Sequence, residues 1–339
     1  MATRSTVSQR TQVGLEVTPG TAVPAQKILQ SLTVELSPSV ESTPFKPRGS
    51  KYPTVVAANK EWSEGDLEGA PTYDEVIYPL ASVFGKPANP VAVMDAATPS
   101  GAYLWTFDTN SSAPDVPATY TIEQGDDTLA ERASFATFTD FGLDISRDEV
   151  GVSGSVIASA LERGITLATG AVPVATDLVP ILPGQVCVYV SEDPETLGDP
   201  ETHLPTVLEV NPSVGGKYGP AWFLNCLVAG FSGIVEQAEP DFTVDLTVEA
   251  NADGISWGQT FRTGETRFIR VEATGPQIKA GVDASRYRFT WDLAVKTLEP
   301  GEYSDEDGVY AVAPSLQVVH DAGWGKASHI EVVNKVAGL

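Results

Sequence analysis

Apolar and polar residues alternate strictly over several stretches of the chain. Between residues 286 and 296, every second residue is apolar: Tyr287, Phe289, Trp291, Leu293 and Val295. Between residues 241 and 249, the same alternation places apolar side chains at Phe242, Val244, Leu246 and Val248. A period of two with one polar face is typical of a half-buried β-strand. Similar short stretches, separated by turn residues, recur along the chain and predict a mainly β fold of the sandwich or barrel type.

One segment has helical periodicity instead. Thr72 and Glu75 have the T-x-x-E spacing of a capping box, in which side chains satisfy the first free N–H groups of a helix. Apolar residues follow at the spacing of one helical face, at Val76, Ile77, Leu80, Val83 and Phe84. Gly85 is a suitable stop, and Pro79 is expected to kink the helix or to begin a second short turn. The sequence thus predicts one short helix flanking the sheets.

The two halves of the chain share a weak internal repeat. Residues 138–164 resemble residues 227–254 in having an aromatic strand, an acidic turn, an alternating strand and a turn closed by glycine. We interpret this as two tandem related β domains, at 27–170 and 171–339. Residues 1–26 are polar and rich in Thr, Gln, Gly and Pro, which predicts a flexible amino-terminal arm.

The 339 residues carry a formal net charge of −24, and both halves of the chain are acidic. Proteins that grip nucleic acid neutralise its phosphates with Lys and Arg. The charge therefore argues against a nucleic-acid-binding surface, although DNA could slide past such a surface without binding to it. No apolar run approaches the length of a membrane span, and the amino terminus lacks the apolar core of a secretory signal, which predicts a protein made in the cytoplasm.

Residues that could carry catalysis or hold a metal are few and scattered. His203, His320 and His329 lack the spacing of metal ligands, and the sequence contains neither a nucleotide-binding loop nor a nucleophile elbow. The acidic segment at 305–308 lacks the ligand spacing of a calcium loop and is interpreted as a turn between strands. We therefore predict a protein without catalytic residues, cofactor or metal.

Seven residues are candidates for contacts between subunits: Arg4, Arg10, Lys46, Arg48, Lys51, Trp62 and Trp324. Lys46, Arg48 and Lys51 form a tight basic group in an acidic protein, so they suit the acidic surface of a neighbouring subunit. A solvated hairpin tip is the other interpretation. The two tryptophans lie beside glycine and polar residues, and the two arginines belong to the polar amino-terminal segment. The acidic loop 193–202, which contains DPET twice, is a further candidate.

Four segments, in their order along the chain, resemble the major tail tube proteins of long-tailed, siphovirus-type bacteriophages. They are GLEVTPGTAVPA at 14–25, EGDLEGAPTYDEVIYPLASVFGKP at 64–87, ASFATFTDFGLDISRDEVGVSGSV at 133–156 and DEDGVYAVAPSLQVVHDAGWGKASHIEVVNKV at 305–336. Together they cover under half of the chain. The features that are similar to that family are a G-x-E-x-x-x-G-T opening, a short helix ending at Phe-Gly, a central strand pair, and a late D-x-D-G turn followed by Asn334.

The resemblance implies a virion protein that assembles with itself into stacked rings, whose lumen DNA traverses without specific binding. Trimeric rings with pseudo-six-fold symmetry are favoured if each subunit holds two tandem domains, and hexamers are the alternative. The resemblance also implies contacts with a tape measure protein and with tail terminator or tip proteins, and no membrane. Other interpretations are a different virion structural protein, such as a capsid decoration or tail-tip component, a carbohydrate-binding β-sandwich or, least favoured, an enzyme.

Overall fold

The computed structural model describes residues 6–95, 98–110, 112–167, 172–224, 230–237 and 240–339. Within these ranges the protein is mainly β, as predicted, with 23 strands, two α-helices and five short 3₁₀-helices. The α-helices are Ile77–Val83 (α1) and Ala252–Thr263 (α2). The 3₁₀-helices are Thr6–Ser8, Pro183–Gln185, Pro194–Thr196, Pro200–Thr202 and Asp283–Ser285.

The strands are numbered in chain order. Strands β1 to β12 are Arg10–Leu15, Lys27–Leu29, Leu32–Phe45, Val55–Gly69, Val91–Asp95, Thr98–Asp108, Tyr120–Gly125, Ala130–Phe138, Phe141–Ser146, Val150–Ala158, Glu162–Ile165 and Val174–Ala175. Strands β13 to β23 are Val186–Ser191, Val207–Gly215, Tyr218–Ala221, Gly233–Glu236, Asp241–Glu249, Arg267–Gln277, Arg286–Glu299, Tyr303–Glu306, Val309–Val312, Ser315–Val318 and Ser328–Asn334.

Among the described strands, β15 and β16 form a small separate sheet, and the others join one large mixed sheet. One part of the large sheet runs β3, β4, β10, β9, β14 and β17, with all pairs antiparallel. It continues through β22 to β19, whose other edge holds β18 and then β13. The first half of β19 pairs with β23, and β23 pairs with β6. Another part runs β12, β2, β1, β7, β8 and β11, with β12 and β2 parallel.

Strands from the two predicted domains pair directly with each other. β9 pairs with β14, and β6 pairs with β23. Buried apolar residues from both halves of the chain also belong to one continuous hydrophobic core. The predicted boundary between 170 and 171 lies outside the described residues, and the division into two tandem domains stays a prediction.

Residues 10–15 differ from the flexible arm expected over 1–26. They form β1, which lies between β2 and β7, and Thr11, Gln12 and Val13 are buried there. The short apolar face made by Val13 and Leu15 packs on the core. Composition averaged over the whole polar segment does not reveal a strand of this length.

Helix α1 lies inside the core, with all of its residues buried. Thr72 Oγ1 accepts a hydrogen bond from the Glu75 N–H at 3.1 Å, which is one half of the predicted capping box. The bond lies in the turn before the helix, since the N-cap of α1 is Val76, which has no side-chain cap. The helix begins at Ile77, so Pro79 lies in the first turn rather than in the interior, where a kink was expected. A first-turn proline loses no helical hydrogen bond. Gly85, at a φ of 88°, leads the chain out of the helix in a conformation that favours glycine.

The periodicity of the sequence does not predict α2. Its sequence, ADGISWGQTFRT, contains two glycines and few apolar residues, so its helical pattern is weak. The ends carry clearer signals. The Asn251 side chain accepts hydrogen bonds from the N–H groups of Asp253 and Gly254, at 3.0 and 3.1 Å, and Gly264 ends the helix in the left-handed conformation. Trp257, which is fully buried, anchors α2 to the core.

Strand β19 is buried on both faces in its central part, whereas its alternation predicts one polar face in solvent. Asp292, on the polar face, is only 5% exposed. It accepts two hydrogen bonds from the Arg270 guanidinium, at 2.6 and 2.8 Å, so its charge is paired. A small second core covers this side of the strand and consists of Leu197, Phe268 and Ala294 with Tyr189 and Trp324 packed against them.

Candidate assembly surface

The hairpin of β3 and β4 is long and only partly supported by the rest of the fold. β4 pairs with β10 on its other side from Gly69 to Ser63. Beyond this point the hairpin has two strands only, which pair from Ser39 opposite Trp62 to Phe45 opposite Val55. We call residues 39–62 the arm. At about 3.3 Å per residue, its paired part extends about 20 Å beyond the third strand, not counting the loop at its tip.

The tip of the arm carries the basic group that the sequence singles out. Its three cations, Lys46, Arg48 and Lys51, lie in the loop that joins the two strands, and all are exposed. The chain has no Asp or Glu from residue 42 to residue 60. Within the described part of the chain, the salt bridge that involves the arm joins Lys60 to Glu41 at 2.8 Å, away from the tip. The tip is therefore a concentrated positive charge on an acidic protein.

The arm also exposes apolar side chains, which the sequence analysis does not single out. They are Val40, Phe45, Tyr52, Val55 and Val56, and Phe45 and Tyr52 are 55% and 75% exposed. The sequence does contain a pattern that indicates this hairpin. A Pro- and Gly-containing loop at 47–53 separates two stretches of strand-forming residues, which is typical of a hairpin.

Trp62 lies at the base of the arm and contacts residues that are distant in the sequence. Its ring meets that of Trp222 edge-on at 5.6 Å, and Trp222 in turn meets Phe231 at 5.8 Å. The Trp62 Nε1–H donates a hydrogen bond to Glu64 at 3.0 Å, and Lys60 Nζ lies 5.3 Å from the Trp222 ring centre. Trp62 therefore connects the arm to the small sheet of β15 and β16. Its role between subunits stays a prediction.

Trp324 is half-buried and packs edge-on against Phe268, with 5.8 Å between ring centres. These two rings form the floor of an open groove of about 460 Å³, which we call the Trp324 groove. Its rim carries four carboxylates, at Glu192, Asp193, Glu195 and Asp321. The acidic loop 193–202 thus forms one wall of this groove. The structure brings together two sequence-predicted candidates, the acidic loop and Trp324, at one surface.

The two amino-terminal arginines are not brought to the arm or to the groove. Arg10 is exposed at the start of β1, opposite Gly125 of β7. Arg4 lies outside the described residues. Their part in subunit contacts stays a prediction.

Glu16, from the opening G-x-E motif, is a buried hydrogen-bond acceptor. Its carboxylate accepts from the N–H groups of Gly20 and Phe135, at 2.7 and 2.9 Å, and from the hydroxyls of Thr119 and Thr121, both at 3.0 Å. These bonds tie the chain after β1 to strands β7 and β8. A carboxylate that is satisfied in this way is a structural element, with no free lone pair directed at a substrate.

Glu75 and Asn334 have similar structural roles in two other segments that resemble the tail tube family. The buried Glu75 carboxylate accepts hydrogen bonds from the three N–H groups of residues 30–32 and from the Thr176 hydroxyl. The Asn334 amide donates to the Tyr73 carbonyl at 2.8 Å. Glu75 thus fastens the segment before α1 to the start of β3, and Asn334 fastens it to β23.

Several titratable groups outside these positions pair with one another on the sheet. His329 Nδ1 lies 2.7 Å from Asp108 Oδ1, and Lys326 Nζ lies 2.7 Å from the same oxygen. Hydrogen bonds that the His329 ring donates to the Asp108 and Glu331 carboxylates raise the pKa of His329 to about 9, and the bond from His329 lowers the pKa of Asp108 to about 2. Within the described ranges, no group of three or more His, Cys, Asp or Glu residues could hold a metal ion.

Comparison of the chain with protein-family models and with curated proteins finds no match. The likeness to tail tube proteins therefore rests on the four segments and their order. Among the helices described, none has the length and apolar character needed to cross a membrane.

Proposed function

We propose that the protein is the structural subunit of a bacteriophage tail tube, which assembles with itself into stacked rings around a channel for DNA ejection. The observation that supports this most directly is the arm. It projects from the sheet, it is exposed on both of its faces near the tip, and it carries both cations and apolar side chains. These are the properties of a contact element rather than of a catalytic loop.

An arm of this kind is poorly stabilised within a single subunit. An isolated two-stranded hairpin is marginally stable in water, because it has no third strand and no apolar face covered by a core. Contact with a neighbouring subunit would bury side chains such as Phe45, Val55 and Val56. Each of them would contribute on the order of 1 kcal/mol or more to the association. Self-assembly thus supplies the partner that the arm lacks.

The charge of the chain suits a channel that DNA passes through. A wall that carries part of a net charge of −24 repels phosphate and does not hold the genome back. In this proposal the basic tip contacts protein and not DNA. The ring is a trimer with pseudo-six-fold symmetry if the chain holds two tandem tube domains, and a hexamer otherwise. Tape measure, terminator and tip proteins are the further partners that the resemblance implies.

Electron microscopy of the purified protein at high concentration, together with sedimentation velocity, tests the proposal. We expect hollow tubes or stacked rings, whose rotational symmetry distinguishes three subunits from six. A wild-type chain that forms neither rings nor tubes, and that does not join tails in a cell lysate, would contradict the proposal.

A variant with a shortened arm tests the part of the structure on which the proposal rests. Replacing residues 42–59 with Asn-Gly joins Glu41 to Lys60, which are paired across the hairpin, through a two-residue turn. We expect a retained cooperative melting transition and a loss of assembly. F45S/Y52S should weaken assembly as well, whereas the matched control Y303S/Y310S, which removes two exposed tyrosines from another hairpin, should not. Equal losses in both double variants would show that the arm has no special role.

A further inference from the structure

The arm and the Trp324 groove have complementary charges and complementary shapes. The tip of the arm is a narrow projection with three cations and two exposed aromatic residues, Phe45 and Tyr52. The groove is a concave surface with an aromatic floor and a rim of four carboxylates. Both are exposed in the subunit, so each is free to meet a second copy. We infer that the tip of one subunit's arm docks in the Trp324 groove of another copy of this chain.

The acidic loop that forms one wall of the groove carries no cation of its own. The chain has no Lys or Arg between Arg163 and Lys217, a stretch that includes the whole acidic loop. On the rim, Glu192 has one described ion pair, with the Arg267 guanidinium 4.0 Å from its carboxylate. Glu192 is itself 84% exposed, so this single contact leaves it available to a partner. A positive tip therefore meets a rim whose negative charge is largely uncompensated.

The aromatic side chains of the groove add a second favourable contact to the attraction between charges. Trp324 is partly exposed, packs on the buried Phe268, and presents aromatic surface in a groove of about 460 Å³. This volume falls within the range of about 300–1,000 Å³ that is usual for binding clefts. Arginine and lysine bind well over aromatic faces, and a partly desolvated contact of this kind is stronger than one in open water. Arg48, at the centre of the tip, is the residue best suited to this position. Charge at the rim then orients the approach of the arm.

Docking of an arm into a groove elsewhere on the molecule is a heterologous contact, since the two surfaces differ. Such contacts form closed rings when the rotation between subunits closes, and open helical stacks when it does not. The inference rests on the proposed self-assembly and adds which two surfaces meet. It also predicts that assembly weakens as salt is raised, because rim charges are screened beyond about 8–10 Å at physiological ionic strength.

Charge reversal and charge exchange in the full-length chain test the inference. R48E/K51E reverses the tip, and E192K/E195K reverses the rim without touching Asp193, which caps a 3₁₀-helix. Measured by sedimentation velocity over a concentration series, each double variant should raise the concentration needed for half-assembly by about tenfold or more. The chain with all four substitutions should return to within about threefold of wild type. Unchanged circular dichroism spectra and melting temperatures would confirm that all variants fold.

The control for net charge combines R48E/K51E with E299K/E302K, which reverses two exposed glutamates away from the groove. This chain has the same net charge as the four-fold exchange variant, and it should stay unassembled. Rescue by this control to the level of the exchange variant would overturn the inference, as would normal assembly of either reversal variant. Both results would leave the proposed function intact, because the wild-type chain still assembles. A wild-type chain that does not associate overturns the proposed function, and the inference with it.

Discussion

Replacing Glu75 with alanine should strongly destabilise the protein, because this side chain is fully buried and accepts hydrogen bonds from several backbone donors at once. Oε2 accepts from the N–H groups of Ser31 and Leu32 at 3.1 and 2.8 Å, and Oε1 accepts from Gln30 N–H at 2.6 Å. The Thr176 hydroxyl donates to Oε1 as well. The variant E75A removes all of these acceptors together.

The expected loss of stability depends on which of these hydrogen-bond donors water can reach in the variant. The N–H of Leu32 is buried and would stay unpaired, at a cost of about 1–3 kcal/mol. The N–H groups of Gln30 and Ser31 are only partly buried and would be partly solvated, at a cost of about 1 kcal/mol each. The Thr176 hydroxyl is buried but also lies 3.2 Å from the Ile28 carbonyl, so it keeps an acceptor and adds little. The sum is about 3–5 kcal/mol of the free energy of unfolding. With an unfolding entropy of about 2.1 cal/mol/K per residue, this lowers the melting temperature of a 339-residue chain by about 4–7 °C.

Urea unfolding and calorimetry measure this loss, and two variants serve as comparisons. E75Q keeps one acceptor oxygen and turns the other into a donor that faces N–H groups, so about half of the loss is expected. E68A removes an exposed glutamate from β4 and should change stability by less than about 0.5 kcal/mol. If E75A were as stable as E68A, the assignment of Glu75 as the acceptor that holds residues 30–32 would be refuted.

Three further predictions concern other parts of the fold. The raised pKa of His329, about 9, and the lowered pKa of Asp108, about 2, mean that their pairing stabilises the protein fully between about pH 4 and 6.5. The contribution is lost as the pH rises through 9 or falls through 2. An imidazole titration by NMR with a midpoint near 6.5 would refute this. The variant R270A leaves the buried Asp292 carboxylate unpaired and should lower the free energy of unfolding by about 3–5 kcal/mol, as measured with urea; a loss under 1 kcal/mol would contradict it. N251A removes the amino-terminal cap of α2 and should cost about 1 kcal/mol, whereas N251D should retain most of it; equal losses in both variants would show that the cap contributes nothing.

The parts of the fold that the sequence predicts well are those in which one local pattern decides the structure. β17 spans Asp241–Glu249, the stretch predicted from its alternation, and β19 extends the predicted 286–296 by a few residues at one end. α1 also forms where its apolar face and Gly85 indicate. α2 has no such apolar face. Its stability comes from its two caps and from the buried Trp257, and the periodicity of apolar residues does not reveal caps of this kind.

In the candidate site, too, the features that depend on local sequence are predicted and the contacts between distant residues are not. The basic residues at 46–51 lie at a hairpin tip, as one interpretation of the sequence expects, because Pro and Gly mark such turns locally. The contacts of Trp62, Trp324 and Glu75 depend on residues far away in the chain, and spacing along the sequence carries no information about them. Glu75 illustrates this most clearly. Its position fits a capping box, yet its carboxylate binds the backbone before β3 and not the start of the helix.

The position of β23 has a consequence for how the protein is made. This strand lies between β19 and β6, and Trp105 of β6 donates hydrogen bonds to Asn334 and to the Val336 carbonyl near the end of the chain. Until residues 328–334 have been synthesised, the edges of β6 and β19 that pair with β23 are open. This part of the sheet therefore forms only after β23 has left the ribosome. Before that point the nascent chain exposes unpaired strand edges, at which chaperones or premature association compete with folding.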